Sequence, residues 1–350
     1  MQRPELQDCK SLVVGGAGFV GSNLVRSLLA NGAAHVHIID NLLSAERDNI
    51  PLDPRVRFTE SSITNDRVLN ALIDEYDYVF HLSTYHGNQS SIHDPLADHE
   101  NNTLTTLKLF DRIKSFSALK KVVYSSAGCS VAEKTFEAAT ATEETELVSL
   151  TQDSPYSMSK IFGEFYAKYY FKQHALPTVR ARFQNVYGPG EILGAGHWRG
   201  TPASIWRNVT PTFIYKALQG EALPLENEGV ASRDFIFAED IAEGLVACAL
   251  KGVAGEAYNI ASGQETSIRE LAERINALTG NPTPVTLLPK RSWDNSGKRY
   301  GSTAKSERAL GFKATVGLPD GLARTVAWMQ ENIGLIERNI AKHAIHLQGT

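Results

Sequence analysis

The chain has 350 residues, 42% hydrophobic and 21% charged, with a net charge of −4. This is a globular composition, and the length predicts about two domains with ample chain for a large core. The charge balance and a pI near 6.2 leave no electrostatic footprint for nucleic acid or an anionic membrane, and no run approaches the ~18 apolar residues of a membrane span. Cys9, Cys129 and Cys248 are odd in number, widely spaced and without metal-ligand spacing, so a reducing compartment and no metal site are expected. The start, MQRPELQDCK, holds no apolar signal core, so the expected localisation is cytoplasmic.

In chain order, Ser11–Val14 reads as a buried strand and Phe19–Ala30 as a helix. His35–Ile39, Val56–Phe58, Tyr78–Phe80, Lys121–Ser125 and Thr178–Phe183 read as further strands. Amphipathic stretches near 66–75, 97–116 and 156–174 lie between them. Such alternation predicts an α/β fold with a doubly wound, Rossmann-like parallel sheet. Residues 132–150, acidic and Thr-rich, read as a mobile lid or solvated loop. After Asn185 the sequence becomes loop-rich, then helical over 212–220. Ser232–Phe237 reads as a strand returning to the first domain, and 267–279 and 319–346 as helices of a smaller mixed α/β C-terminal domain. The division expected is 1–185, with 231–260 returning to it, against 186–230 and 261–350.

Two motifs carry chemistry. Gly15-Gly-Ala-Gly18-Phe19-Val20-Gly21 follows a strand and opens a helix, the context in which glycines cradle a pyrophosphate on the helix N-terminus. Asp40 ends the second strand 19 residues after Gly21. That spacing suits a carboxylate on a ribose diol and disfavours a 2′-phosphate, so NAD is expected rather than NADP. Tyr156-Ser-Met-Ser-Lys160 places a phenol and an ammonium on one helix face. A tyrosine acting as a base at neutral pH needs its pKa, ordinarily ~10, lowered by roughly 3. An adjacent cation supplies ~1–3 of that, and an oxidised nicotinamide ring contributes in the same sense.

On these residues the chain resembles an extended short-chain dehydrogenase/reductase, specifically an NAD-dependent nucleotide-sugar epimerase. The likeness extends to Asp77-Tyr-Val-Phe-His-Leu-Ser83, Arg182-Phe-Gln-Asn-Val-Tyr-Gly-Pro189, Ser232-Arg-Asp-Phe235 and Arg291-Ser-Trp-Asp294. It is also similar to sugar-modifying enzymes of bacterial O-antigen loci. The resemblance implies Tyr156 as acid/base, with Lys160 holding the nicotinamide ribose. It implies a cofactor shell of Gly15, Gly18, Phe19, Val20, Gly21, Asp40, Asn41, Ser62, Ile63, Leu82, Ser83, Asn102 and Phe183. For the substrate, a UDP-sugar, it implies Asn185, Arg233 and Arg291 on the diphosphate, Asn208 at the base and Asp294 on the nucleotide ribose. Tyr85, His86 and Gln89, with Trp198, are candidates for the sugar wall. Arg299 stands where related epimerases gate sugar size, which points to a uronic acid. A homodimer through helices near 97–116 and 156–174 is implied as well.

Two positions depart from the family pattern. Ala127 stands where a catalytic Ser or Thr is usual, with Ser126 adjacent as a stand-in. Ser61-Ser62-Ile63 replaces a Gly-Asp-Ile that meets the adenine. The expected reaction is 4-epimerisation through a transient 4-keto sugar. Alternatives within the family are a 4,6-dehydratase, whose usual Asp-Glu reads Gly128-Cys129 here, a decarboxylase, and a 3,5-epimerase in which Cys129 is the acid/base. A non-catalytic NAD- or sugar-nucleotide-sensing protein is the alternative outside it.

Overall fold

The computed structural model describes residues 3–128, 135–292 and 297–347. Its strands are β1 (Lys10–Val14), β2 (His35–Asp40), β3 (Val56–Glu60), β4 (Tyr78–His81), β5 (Lys121–Ala127), β6 (Ala141–Thr142), β7 (Thr178–Phe183) and β8 (Asn185–Tyr187). Then follow β9 (Pro224–Glu226), β10 (Ser232–Phe237), β11 (Ala257–Ile260), β12 (Glu265–Ser267), β13 (Thr286–Leu288) and β14 (Tyr300–Gly301). The helices of the first half are α1 (Phe19–Ala30), α2 (Asp66–Asn70), α3 (Asn88–His93), α4 (Pro95–Asp98), α5 (Leu104–Ile113) and α6 (Pro155–His174). Those of the second half are α7 (Val209–Leu218), α8 (Ala238–Lys251), α9 (Ile268–Thr279), α10 (Ala304–Leu310), α11 (Leu318–Glu331), α12 (Ile333–Ala341) and α13 (Ala344–Leu347).

Seven strands form one parallel sheet in the order β11-β7-β5-β4-β1-β2-β3. Successive side chains of a strand point to opposite faces, so β1 sends Val13 to one core and Leu12 and Val14 to the other. The first core gathers Leu24 and Leu28 of α1 with Ile241, Leu245 and Cys248 of α8. The second gathers Leu109, Phe110 and Ile113 of α5 with Ala167 and Tyr170 of α6. Helices on both faces make the sheet doubly wound and Rossmann-like. A third core joins Phe213 and Ile214 of α7, Leu271 and Ile275 of α9, and Leu322, Val326 and Met329 of α11.

Several sequence expectations need correction. Ser232–Phe237 is a strand, but β10 pairs with β8 and β12 in a separate three-stranded sheet. The chain re-enters the large sheet through α8 and β11 instead. The expected 97–116 helix is broken into α4, a π-helical turn His99–Thr103 and α5. The acidic segment is tied down at 141–144, while residues 145–150 are largely exposed, as a solvated loop is. Its β6 pairs with β14, Asn259 N–H donates to Glu144 Oε1 at 2.8 Å, and Arg182 Nη1 donates to the Glu144 carbonyl at 3.0 Å. No helix among the described residues is long and apolar enough to cross a membrane.

Candidate active site

Because the sheet is parallel, β1, β2, β4, β5 and β7 all end at one edge, where open α/β sheets bind ligands. β1 runs into Gly15, whose φ of +87° suits glycine alone. A methyl on Gly15 would lie 2.5 Å from Ser83 N, and one on Gly21 would lie 2.2 Å from the Gly15 oxygen. The loop, the end of β4 and α1 therefore meet backbone to backbone. Gly18 is the N-cap of α1, and no side chain caps the helix, so the first-turn amides at Phe19, Val20 and Gly21 are not claimed by a protein cap. Asp40 accepts from Ala17 N–H at 3.0 Å and Leu42 N–H at 2.9 Å. Each of its oxygens keeps a lone pair for a ribose hydroxyl. Nearby, Asn41 Oδ1 accepts from Leu43 N–H at 3.1 Å, Ile63 is buried, and the Ser62 hydroxyl pairs with Thr64 at 2.8 Å. Bare helix amides and an anchored carboxylate are the donor and acceptor set a dinucleotide needs, so these residues fit NAD.

Helix α6 carries the second half of the site. Ser154 caps it, with its hydroxyl accepting from Ser157 N–H at 3.3 Å, and Pro155 pre-sets the first turn. A Cβ on Gly163 would lie 1.9 Å from the Tyr124 hydroxyl, so glycine is what lets α6 lie directly on β5. Tyr156, Lys160 and Glu164 succeed one another at four-residue intervals along the covered face. Lys160 is buried, donates from Nζ to the Ser125 carbonyl at 3.0 Å, and lies 5.5 Å from the Tyr124 ring and 5.9 Å from the Tyr156 ring.

The β4 end supplies the opposite wall. His86 meets the Tyr156 ring edge-on at 5.9 Å. Burial, then the charges of Arg207, Arg199 and Lys160, push its pKa down to about 3, so the imidazole is neutral. His81 is likewise neutral at about 3, through burial and Lys160, with Nε2 2.9 Å from Thr106 Oγ1 and Nδ1 3.3 Å from Ser83 Oγ. Leu82, between them, is buried. Asn102, aimed by the π-helical turn, accepts from Tyr85 N–H at 2.6 Å and donates to Asp98 Oδ1 at 2.7 Å and Ser159 Oγ at 3.1 Å. Burial raises Asp98 to about 6 against these hydrogen bonds and Lys160. Asn102 thus ties the segment after β4 to α6.

Ser126, the candidate stand-in for the missing Ser or Thr, faces a buried carboxylate. Its hydroxyl donates to Glu164 Oε1 at 2.5 Å. Glu164 is itself gripped by Arg182 Nε and Nη2 at 2.8 and 2.9 Å and by Arg180 Nη1 at 3.1 Å. Burial pushes the Glu164 carboxyl up, but the two guanidiniums outweigh it and hold the pKa below its usual value. The hydroxyl is therefore committed to a buried ion network. Cys129 lies outside the described residues, as does Asp294.

Of the other substrate candidates, Asn185 opens β8 two residues after Phe183, the last residue of β7, and pairs with Phe235 of β10. On β10, Arg233 Nη1 donates to the Ser232 and Gly297 carbonyls at 2.6 Å. Arg299 is half-buried beside β14, and Arg291 is paired with Glu226. Asn208 is the N-cap of α7 and donates through Nδ2 to the buried Glu191. Tyr85 is buried with the Arg199 guanidinium 5.6 Å from its ring, and Gln89 lies in α3. Trp198 is turned to the C-terminal helices instead, stacked on His346 at 4.7 Å and 8°.

Sequence reasoning missed Glu164, Asp98, Glu191, Arg199 and Arg207, all drawn into this region. Only the repeated Trp-Arg pairs, 198–199 and 206–207, hinted at the last two.

The model of the NAD-dependent epimerase/dehydratase family matches residues 11–261. Among solved structures, the Bordetella bronchiseptica enzyme WbmF in complex with NAD+ and UDP is 65% identical, with a TM-score of 0.89 over 98% of both chains. The epimerase Mth375 of Methanothermobacter thermautotrophicus is 37% identical, with a TM-score of 0.87 over 95% of this chain and 96% of that one. A UDP-glucose 4-epimerase of Mycolicibacterium smegmatis is 29% identical over 92% of this chain and 98% of its own length. With the glycine loop, the Tyr156–Lys160 pair and these likenesses in agreement, the chain belongs to the NAD-dependent epimerase/dehydratase family.

Proposed function

We propose that this chain is an NAD-dependent epimerase that inverts C4 of a UDP-hexose derivative. The observation that carries the reading is the Lys160 ammonium, buried on the Ser125 carbonyl between the rings of Tyr124 and Tyr156. Gly15, Gly18, Phe19, Val20, Gly21, Asp40 and Asn102 would hold the dinucleotide, with Asn41, Ser62, Ile63, Leu82, Ser83 and Phe183 lining it. Bound NAD supplies a reversible hydride acceptor. Tyr156 takes the proton of the 4-hydroxyl as a general base and returns it after the 4-keto sugar has turned over. Lys160 supplies the neighbouring positive charge that the base form of Tyr156 needs. His86, neutral and edge-on to Tyr156, offers the sugar an uncharged wall.

Arg233 and Arg291, with Asn185, would grip the diphosphate through forked, permanently charged donors. Asn208 and Asp294 would take the nucleoside. Arg299 supports a carboxylated sugar as the preferred substrate. We divide the work between residues 1–185 with 231–260, for the cofactor, and 186–230 with 261–350, for the nucleotide sugar. Met158, Phe162, Phe165 and Tyr169 are exposed along one face of α6, which supports a homodimer across that face. Cys9 and Cys248 are free and buried, which supports work in the cytoplasm. The resemblance to O-antigen-locus enzymes supports a place in lipopolysaccharide biosynthesis.

Tyr156→Phe is the test. The variant should lose roughly 10²–10⁴-fold in turnover while still copurifying with NAD. Turnover at the wild-type rate would remove Tyr156 from the mechanism.

A further inference from the structure

Arg199 lies in the loop between β8 and α7, and its side chain takes no part in the reaction proposed. It is 5% exposed, and its backbone N–H is fixed on Ser204 Oγ at 2.8 Å. Gly200, at φ +82°, is pressed against the His93 ring and fixes the next residue. Of the guanidinium, Nη1 donates to Ser44 Oγ, whereas Nε and Nη2 are buried without a hydrogen-bond partner among the described residues. Those two nitrogens form the side-on edge of a guanidinium, whose parallel N–H bonds match the two oxygens of a carboxylate or phosphate. The neighbouring half-buried Arg207 differs. It donates to the Ser44 carbonyl at 2.9 Å and the Ala195 carbonyl at 2.6 Å, and the charges of Glu191 and Glu46 oppose its burial. Among the described residues Arg199 has no such acid; burial and Arg207 push its pKa down to about 9, which leaves it a cation at neutral pH.

The position of this edge matters. Ser44 follows the Asp40 end of β2, and the ring 5.6 Å from Arg199 belongs to Tyr85, next to the His86 that touches Tyr156. Thr84 Oγ1, His86 Nδ1 and Thr201 Oγ1, on the two segments that meet here, are also buried without a hydrogen-bond partner among the described residues. The guanidinium thus bridges the segment that follows Asp40 and the segment beside Tyr156. Resting on the function proposed above, we infer that the Nε–Nη2 edge of Arg199 binds an oxyanion of a bound small molecule, at the junction of the cofactor and sugar sites. Two sources share that chemistry, the pyrophosphate of NAD and an acid group on the sugar.

The test uses the holoenzyme with Arg199→Gln and Arg199→Lys. Two quantities are read: release of NAD from the protein, and binding of UDP-glucuronate against UDP-glucose by calorimetry. Losing a charge-assisted forked contact should cost roughly 10- to 100-fold in affinity. Faster NAD release by that factor assigns the edge to the pyrophosphate. Unchanged NAD release with selective loss of the uronate, UDP-glucose binding being retained, assigns it to the sugar acid. If Arg199→Gln does not fold, Arg199→Lys carries both measurements, since it keeps the charge and loses the fork. Wild-type NAD release and wild-type UDP-sugar binding in the folded variant overturn the inference. If the wild-type protein binds no UDP-sugar, the functional reading fails, and NAD release alone decides the role of Arg199.

Discussion

Glu191 offers a stability test that reads the interior of the substrate half. Its carboxyl is buried, one oxygen takes the Asn208 amide, and the other has no partner among the described residues. Burial raises its pKa from 4.5 to about 7, against the Asn208 hydrogen bond and the charge of Arg207. Folding therefore takes up a proton between those two values. Stability is fully present below pH 4.5 and falls as pH rises to about 7. The 2.5-unit gap, at about 1.4 kcal/mol per pH unit, is about 3 kcal/mol of cost above pH 7. Glu191→Gln keeps the acceptor for Asn208 and removes the ionisation. Urea unfolding should show the variant close to wild type at pH 5 and more stable by about 3 kcal/mol at pH 8. An equal difference at both pH values, or a less stable variant at pH 8, would show that burial does not raise the Glu191 carboxyl. A residue that costs stability beside Asn208 is what a binding site, rather than a core, retains.

Glu164→Ala leaves Arg180 and Arg182 facing each other without their carboxylate, so unfolding free energy should fall by about 3–5 kcal/mol; a loss under about 1 kcal/mol would show the network to be dispensable. Buried His37 and His81 and half-buried His86 have pKa values lowered to about 4, 3 and 3, desolvation being the first cause in each. The unfolded chain takes protons on these rings near ~6.5, so stability is lost as pH falls below that value. Melting temperatures of Glu191→Gln, which lacks the opposing contribution of Glu191, should drop steadily from pH 7 to pH 5, and a rise would contradict the neutral assignment.

The sheet was legible because its strands are short apolar runs set between turn signals, and β1, β2, β4, β5 and β7 fall where those runs lie. The route back to it was harder to see. The α8 sequence AEDIAEGLVACALK buries ten of its 14 residues, so it shows little of the polar face that marks a helix, and β11 is only four residues long. The break in the 97–116 stretch was hidden because nothing in His99-Glu-Asn-Asn-Thr103 forbids a regular helix; the π turn serves Asn102, whose partners are distant in sequence. The Tyr156–Lys160 pair was legible from local spacing. The partner of Ser126 was not legible because it is Glu164, a contact 38 residues away. Arg199 and Glu191 were missed because they belong to an irregular loop, where neither period nor spacing says which charges fold inward.

The most direct test of the central claim is product analysis by NMR after the purified protein has been incubated with a panel of UDP-hexoses and UDP-uronic acids. Inversion at C4 with unchanged mass, and no build-up of the reduced-nicotinamide absorbance, is the result predicted. Loss of water or carbon dioxide from the sugar, or stoichiometric accumulation of reduced cofactor, would contradict it.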